Sequence, residues 1–298
     1  MGKQLFWSKA LDRSEQARNC GALIPLSTST IELRGPSANQ FELRQLNGAL
    51  PKHHRREGPK PNPFLPWDSQ LEVERINHNH VLILNKFPVE RGHMLLITQN
   101  WASQINWLTI DDWRALVLVD RDSSGLWFFN SGPRAGASQP HRHLQLLPRH
   151  PEERICPRLS WFKEHMKNSE TLKGSSLVSD PLFHSCVIAE RPSTTDSDEE
   201  STLLYGLYRS LASRLGLGDD SRQLPPAFPY NLLLTESWMA LIRRSQHQVM
   251  GFSVNALGFA GYLLATQGSD LAWLHNHGGE QLLRQVVPDF SGSAEAMS

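Results

Sequence analysis

Residues 81–86 read VLILNK and residues 93–98 read HMLLIT, with only FPVERG between them. Two short apolar runs joined through a connector that carries Pro and Gly predict an antiparallel hairpin, which commits the chain to a sheet. The same grammar recurs downstream. Residues 126–130 predict a strand that enters the loop SGPRAGASQP and continues into a second strand, HRHLQLLPR, at 141–149; residues 231–235 and 238–244 predict another hairpin. Helices are expected between these strands. Residues 6–19 are followed by a glycine stop at Gly21, and Thr109, Asp111 and Asp112 precede the apolar Trp113, Leu116 and Val117 as a capped start should. Leu203, Leu204, Leu207, Tyr208, Leu211 and Leu215 recur at helical spacing, and residues 270–287 read as a last helix after a Gly-punctuated strand pair at 254–265. The order implies an α+β fold, a mostly antiparallel sheet with flanking helices. Two stretches read differently: 50–66, rich in proline and in basic residues, as extended and irregular, and the polar, acidic RPSTTDSDEES at 191–201 as an exposed loop or linker.

Charge and composition exclude several function classes. Lys plus Arg number 30 and Asp plus Glu number 30, so the formal net charge is zero, which argues against non-specific binding to nucleic acid. No apolar run approaches the roughly 18–20 residues of a membrane span, and residues 1–10 lack the apolar core of a signal peptide, so a soluble, cytoplasmic protein is expected. Three widely spaced cysteines, Cys20, Cys156 and Cys186, fit a reducing compartment better than a disulfide framework. His184 and Cys186 lack a second pair of ligands, so no metal site is expected there. The pairs His78/His80 and His275/His277 read as surface or helix-end histidines. The oligomeric state stays open.

The chemistry concentrates at residues 130–147, NSGPRAGASQPHRHLQLL. Side chains alternate along a strand, so His141, His143 and Gln145 project to one face while Arg142 and Leu144 project to the other. A sheet face open to solvent would also explain one H-x-H, but the preceding loop offers Gly132, Gly136 and Ser138, which permit close backbone approach and present donors to an anion. A neutral imidazole attacks phosphorus near pH 7 without a metal, provided that its other nitrogen is held as an N–H donor. Either the His141 side chain or a nearby carbonyl would serve. Gln145 would place a neutral amide donor beside the reacting phosphate. Together these features point to a nucleotidyl transferase that works through histidine.

The H-x-H-x-Q motif after the NSG and Gly/Ser loop resembles the transferase branch of the histidine triad superfamily. LNKFPV at 84–89, NSGP at 130–133, HRHLQ at 141–145, YNLLLT at 230–235 and GFSVNALGFAG at 251–261 together resemble the diadenosine tetraphosphate phosphorylases, or ATP adenylyltransferases, over residues 64–288. The resemblance implies a histidine-triad-like fold akin to galactose-1-phosphate uridylyltransferases, with residues 1–190 as the adenylyltransferase region and 191–298 as a C-terminal region that completes the fold and substrate site; the recurring order of hairpins and helices suggests two pseudo-repeated halves. It implies phosphorolysis of diadenosine tetraphosphate by phosphate to ATP and ADP through an adenylyl-histidine. His143 is then the nucleophile, His141 the supporting histidine and Gln145 the phosphate-contacting partner. Substrate contacts fall on Lys52, with His53, Arg55, Arg56 and Lys60 competing for that role, on Asn85, Lys86 and Asn130, and on Gly136, Ala137, Ser138 and Gln139. Asn255, Ala256, Leu257 and Tyr262 complete them. Ala137, Tyr262 and Thr266 depart from the family's pattern. Magnesium is expected as part of the polyphosphate substrate, with no protein-held metal. The alternatives are transfer from a nucleotide sugar or adenylyl sulfate, and a catalytically idle sensor of dinucleoside polyphosphates.

Overall fold

The computed structural model describes residues 4–48, 62–150, 152–171, 180–219 and 224–289. Its helices are α1 (Leu5–Asn19), α2 (Ile110–Asp120), α3 (Leu159–Thr171), α4 (Pro181–His184), α5 (Ser197–Arg214), α6 (Ala256–Ala260) and α7 (Leu271–Arg284). Its strands are β1 (Thr28–Ile31), β2 (Glu42–Leu46), β3 (Glu72–Arg75), β4 (His80–Leu84), β5 (Met94–Thr98), β6 (Gly125–Asn130), β7 (His143–Pro148), β8 (Cys186–Glu190), β9 (Tyr230–Leu234), β10 (Trp238–Arg243), β11 (Gln248–Val249), β12 (Phe252–Ser253) and β13 (Tyr262–Ala265).

Eight strands form one sheet in the order β3-β4-β5-β7-β6-β9-β10-β8, antiparallel at every pairing. Both expected hairpins, β4-β5 and β9-β10, are present. Because β6 pairs with β9, strands from both halves of the chain meet beside the H-x-H strand. Apolar layers cover both faces, as an eight-stranded sheet with little polar alternation requires. On one face Trp113, Leu116 and Val117 of α2 and Leu204, Tyr208 and Leu211 of α5 pack on Trp127, Phe129, Leu144 and Leu146. On the other, Phe162 of α3, Phe259 of α6 and Leu282 and Leu283 of α7 pack on Phe128, Leu147, Leu233 and Ile242.

Several expectations need correction. Residues 196–201 open α5 rather than a linker. Asp196 caps that helix by accepting from the Glu199 N–H, and Asp198, Glu199 and Glu200 occupy the first turn, where the helix dipole favours negative charge. Residues 254–265 form no strand pair: Asn255 caps the short α6, Gly261 ends it with φ +105°, and β13 then pairs parallel to β2. His80 is not at the surface. It is 2% exposed, and its Nε2 lies 3.0 Å from Asp112 Oδ1. The 50–66 stretch falls largely outside the described residues, and Lys52, His53, Arg55, Arg56 and Lys60 lie there.

No helix among the described residues is long and apolar enough to cross a membrane.

Candidate active site

β7 carries His143 and Gln145 in the register that alternation implies, and His141 lies just before it in an isolated antiparallel bridge to Ser103. Leu144 and Leu146 enter the α2/α5 layer, whereas Gln145 pairs across the sheet with Leu95 and Phe128, on the opposite face. Arg142 turns away from the histidines and donates from Nη1 to Asp112 Oδ2 at 2.9 Å. That carboxylate also accepts from the Thr109 N–H at 2.7 Å. Burial alone would raise the Asp112 pKa, but the His80 hydrogen bond and the Arg142 charge hold it below the usual carboxylate range. Asp112 thus ties the start of α2 to the residue between the two motif histidines.

His143 is 3% exposed. Its Nδ1–H donates to the His141 carbonyl at 2.7 Å, so the tautomer is set by main chain and Nε2 carries the lone pair. Burial pushes its pKa down to about 4, which leaves the ring neutral at pH 7. Gln104 anchors the same residue: its Oε1 accepts from the His143 N–H at 2.8 Å, and its Nε2 donates to the carbonyls of Asn130 and His143. Phe64 closes over the motif, with ring centroids 5.7 Å from His141 and 5.5 Å from His143.

His141 and a third histidine, His93, are held the opposite way. Asn62 Nδ2 donates to His141 Nδ1 at 2.8 Å, and His141 Nε2–H donates to the Thr98 carbonyl at 2.8 Å. Asn85 Nδ2 donates to His93 Nδ1 at 3.1 Å, and His93 Nε2 lies 3.0 Å from Gln145 Oε1. Each asparagine accepts, through its Oδ1, the N–H of the phenylalanine two residues on, Phe64 in one case and Phe87 in the other, both at 3.0 Å. Such Asx turns leave the amide nitrogen as the end that meets the histidine. The His141 side chain therefore grips Thr98 and Asn62, and its carbonyl, not its ring, supports His143.

The Gly loop is built from both halves of the chain. Gly132 and Gly136 take φ of +98° and +88°, and a Cβ on Gly136 would sit 2.7 Å from the Asn255 Cβ. Of the expected backbone donors, Gly132 and Gly136 turn inward: their N–H groups bond to the Asn130 and Pro133 carbonyls, and the N–H groups of Ala135 and Ala137 both bond to the Gly132 carbonyl around the tight turn at 133–135. Asn130 is buried, and its Oδ1 accepts from Asn231 Nδ2 and from the Ala256 N–H. Arg244, 1% exposed, donates to Asn231 Oδ1 and to the carbonyls of Val254, Gln246 and Val286. Burial lowers its pKa to about 9. Asn130, the loop and Asn255–Ala256–Leu257 are thereby brought together, with Asn255 Oδ1 capping the Leu257 N–H. Ser138 is exposed, and Gln139 is 8% exposed, with an Oε1 that has no partner among the described residues. Lys86 is exposed beside Asn85, its Nζ 5.9 Å from the Phe87 ring centroid. Tyr262 is half-buried, and its hydroxyl accepts from Arg149 Nη2 at 3.1 Å. Arg134 donates to the Ser245 carbonyl.

His93, Asn62, Gln104, Phe64 and Arg149 lie outside the sequence motifs, and their part in the site emerges only from the fold. A signal for His93 exists, since it shares a strand face with Leu95, the residue opposite Gln145.

Residues 1–158 match the family model described as Ap4A phosphorylase N-terminal domain, Ap4A being diadenosine tetraphosphate, and residues 180–288 match the ATP adenylyltransferase C-terminal domain. The chain belongs to the Ap4A phosphorylase family. Among its relatives, Protein APA1 of Saccharomyces cerevisiae is 29% identical over 277 residues, spanning 85% of this chain and 84% of that protein. Diadenosine 5',5'''-P1,P4-tetraphosphate phosphorylase 2 of the same yeast is 31% identical over 229 residues, spanning 68% of each. The family fold is shared with the crystal structures of yeast Ap4A phosphorylase Apa2 in complex with AMP (TM-score 0.70, 24% identity, 94% of each chain) and in complex with Ap4A (TM-score 0.67, 23% identity, 95% of each chain).

Proposed function

We propose that this protein phosphorolyses diadenosine tetraphosphate to ATP and ADP through an adenylyl group carried on His143. The observation that carries the reading is hydrogen-bond polarity. Of the three histidines at the site, His93 and His141 have their basic nitrogen, Nδ1, occupied by an asparagine amide, whereas His143 has Nδ1 protonated against a carbonyl. Its Nε2 pair attacks the phosphorus nearest one adenosine. The N–P bond forms as the bond to the bridging oxygen breaks, and ATP departs with that oxygen. A phosphate oxygen then attacks the same phosphorus, restoring the neutral imidazole and releasing ADP.

Gln145 donates from its amide to a non-bridging oxygen as charge develops. By family likeness, Asn85, Lys86, Asn130, residues 136–139, Asn255, Ala256, Leu257 and Tyr262 line the path of the nucleotides, and Lys52 supplies a further cation. Magnesium enters with the polyphosphate as part of the substrate, as the phosphate oxygens of such a chain would bind it. We place the protein in the cytoplasm, which its free cysteines favour; burial raises the thiol pKa of Cys156 and of Cys186 to about 12.

The test is intact-protein mass spectrometry after incubation with diadenosine tetraphosphate in the absence of phosphate. An AMP adduct is expected on the wild type, with ADP released when phosphate is added. The same adduct on His143→Ala would overturn the assignment, and binding without any adduct or product would favour a sensor.

A further inference from the structure

Gln145 is useful to a developing oxyanion only if its NH₂ group, not its carbonyl, faces the phosphate. Nothing intrinsic to an amide decides this, because a half-turn about its last torsion exchanges donor for acceptor. A chain of hydrogen bonds decides it here. The Phe87 backbone N–H can only donate, and it donates to Asn85 Oδ1 at 3.0 Å. Asn85 therefore presents Nδ2 to His93 Nδ1, at 3.1 Å, which must accept. A neutral imidazole that accepts at Nδ1 carries its proton on Nε2, and that atom lies 3.0 Å from Gln145 Oε1. The carbonyl of Gln145 is thus engaged, and its two N–H donors lie on the other branch of the amide. His93 is 7% exposed and its ring packs 5.7 Å from that of Phe128, so it has little freedom to re-orient.

We infer that His93 is a positioning residue that, relaying the polarity of the Phe87 N–H through Asn85, fixes the Gln145 amide as a donor to the transferred phosphate. This rests on the adenylyl-transfer reading above. Burial lowers the His93 pKa to about 4, so the single-proton form on which the relay depends is the one present at neutral pH. The relay also gives Asn85 an internal role beside whatever contact it makes with substrate. It has a counterpart across the site, where the Phe64 N–H, Asn62 and His141 repeat the same order and end on the Thr98 carbonyl.

Two measurements test the relay. In the full chain labelled with [¹⁵N]histidine, long-range proton–nitrogen correlations should give His93, identified by the signal lost in His93→Gln, as the Nε2–H tautomer. An Nδ1–H tautomer would overturn the proposal whether or not the protein is active. In steady-state phosphorolysis, His93→Phe should lower kcat by about 10- to 100-fold, a part of the 10²- to 10³-fold expected for losing the donor outright, with KM within about threefold. His93→Gln, which can still donate to Oε1, should recover most of that loss. In a Gln145→Ala background His93→Phe should change kcat less than about twofold, because there is no amide left to orient. An equal loss in both backgrounds would show that His93 acts by another route. A wild type that releases no ATP and ADP would sink the proposed activity instead, and the tautomer would still be read.

Discussion

Lowering the pH from 8 to 5 should destabilise this protein through two histidines of the site in particular. Burial pushes His143 and His93 down to about 4, against an ordinary value of 6.5. The unfolded chain therefore takes up a proton on each ring below pH 6.5, while the folded chain refuses it until pH 4. Stability from these groups is complete above about pH 7, falls as the pH drops through the window from 6.5 to 4, and levels off below. At pH 5 the unfolded imidazole gains about 2 kcal/mol from protonation and the folded one almost nothing, so the two rings together cost about 4 kcal/mol. That is a large share of the roughly 5–15 kcal/mol by which a domain is stable. Other groups titrate too: burial raises Asp120, which opposes the loss, and burial also lowers His141, which adds to it. The clean quantity is therefore a difference. Urea unfolding followed by tryptophan fluorescence, for wild type and His143→Gln at pH 8, 7, 6 and 5, should show the wild type losing about 2 kcal/mol more than the variant over that range. A gap between the two that stays constant within about 0.5 kcal/mol would refute the buried, neutral imidazole, and with it the tautomer argument for the nucleophile.

Two substitutions away from the reacting atoms test how the site is held. Gly136→Ala must place a Cβ 2.7 Å from the Asn255 Cβ at a φ of +88°, so a loss of about 2–4 kcal/mol in urea unfolding is expected. A wild-type midpoint would mean that the loop does not pack on α6 as described. Arg142→Ala leaves Asp112, 1% exposed, with its carboxylate short of a cation, and should cost about 3–5 kcal/mol by the same measurement; a loss under 1 kcal/mol would mean that the ion pair does not order α2 against the motif.

What could be read from the sequence was local. The β4-β5 and β9-β10 hairpins, the start of α2 and the face alternation of β7 are each written in fewer than about 20 consecutive residues, within reach of periodicity and capping rules. Pairings between distant segments were not. β13 lies parallel to β2, and β8 joins the sheet edge beside β10, with nothing nearby in sequence to announce either. Composition misled at 196–201, where acidic residues that look like solvated linker are the first turn of α5, and Arg191 turns back to ion-pair with Asp120 and Glu200. At the site, the motif located His141, His143 and Gln145, but the atoms that orient them come from elsewhere. His93 reads as the start of an apolar strand, and Asn62 as a loop residue. Only the pairing of Leu95 with Gln145 reveals that His93 shares a face with the motif.

Zero net charge and a polyanionic substrate are compatible because of the order in which these hydrogen bonds run. Among the described residues, the groups that hydrogen-bond His143 are neutral, Gln104 and the His141 carbonyl, and so are the Gln145 amide and the two histidines whose pKa burial lowers. A leaving polyphosphate needs no proton to depart near pH 7, since a phosphate's second ionisation lies near pH 6. A general acid at position 145 would therefore add little to the first displacement, and an amide donor is sufficient. What such a site does need is an unambiguous direction for each donor, because a flipped amide or a wrong tautomer turns attraction for the phosphate into repulsion. Backbone groups supply that direction, since an N–H or a C=O cannot be flipped by a side-chain rotation. The Phe87 and Phe64 N–H groups set His93 and His141 one way, and the His141 carbonyl sets His143 the other way. Among the described residues, the middle histidine is thereby left with the one unengaged imidazole lone pair of the three.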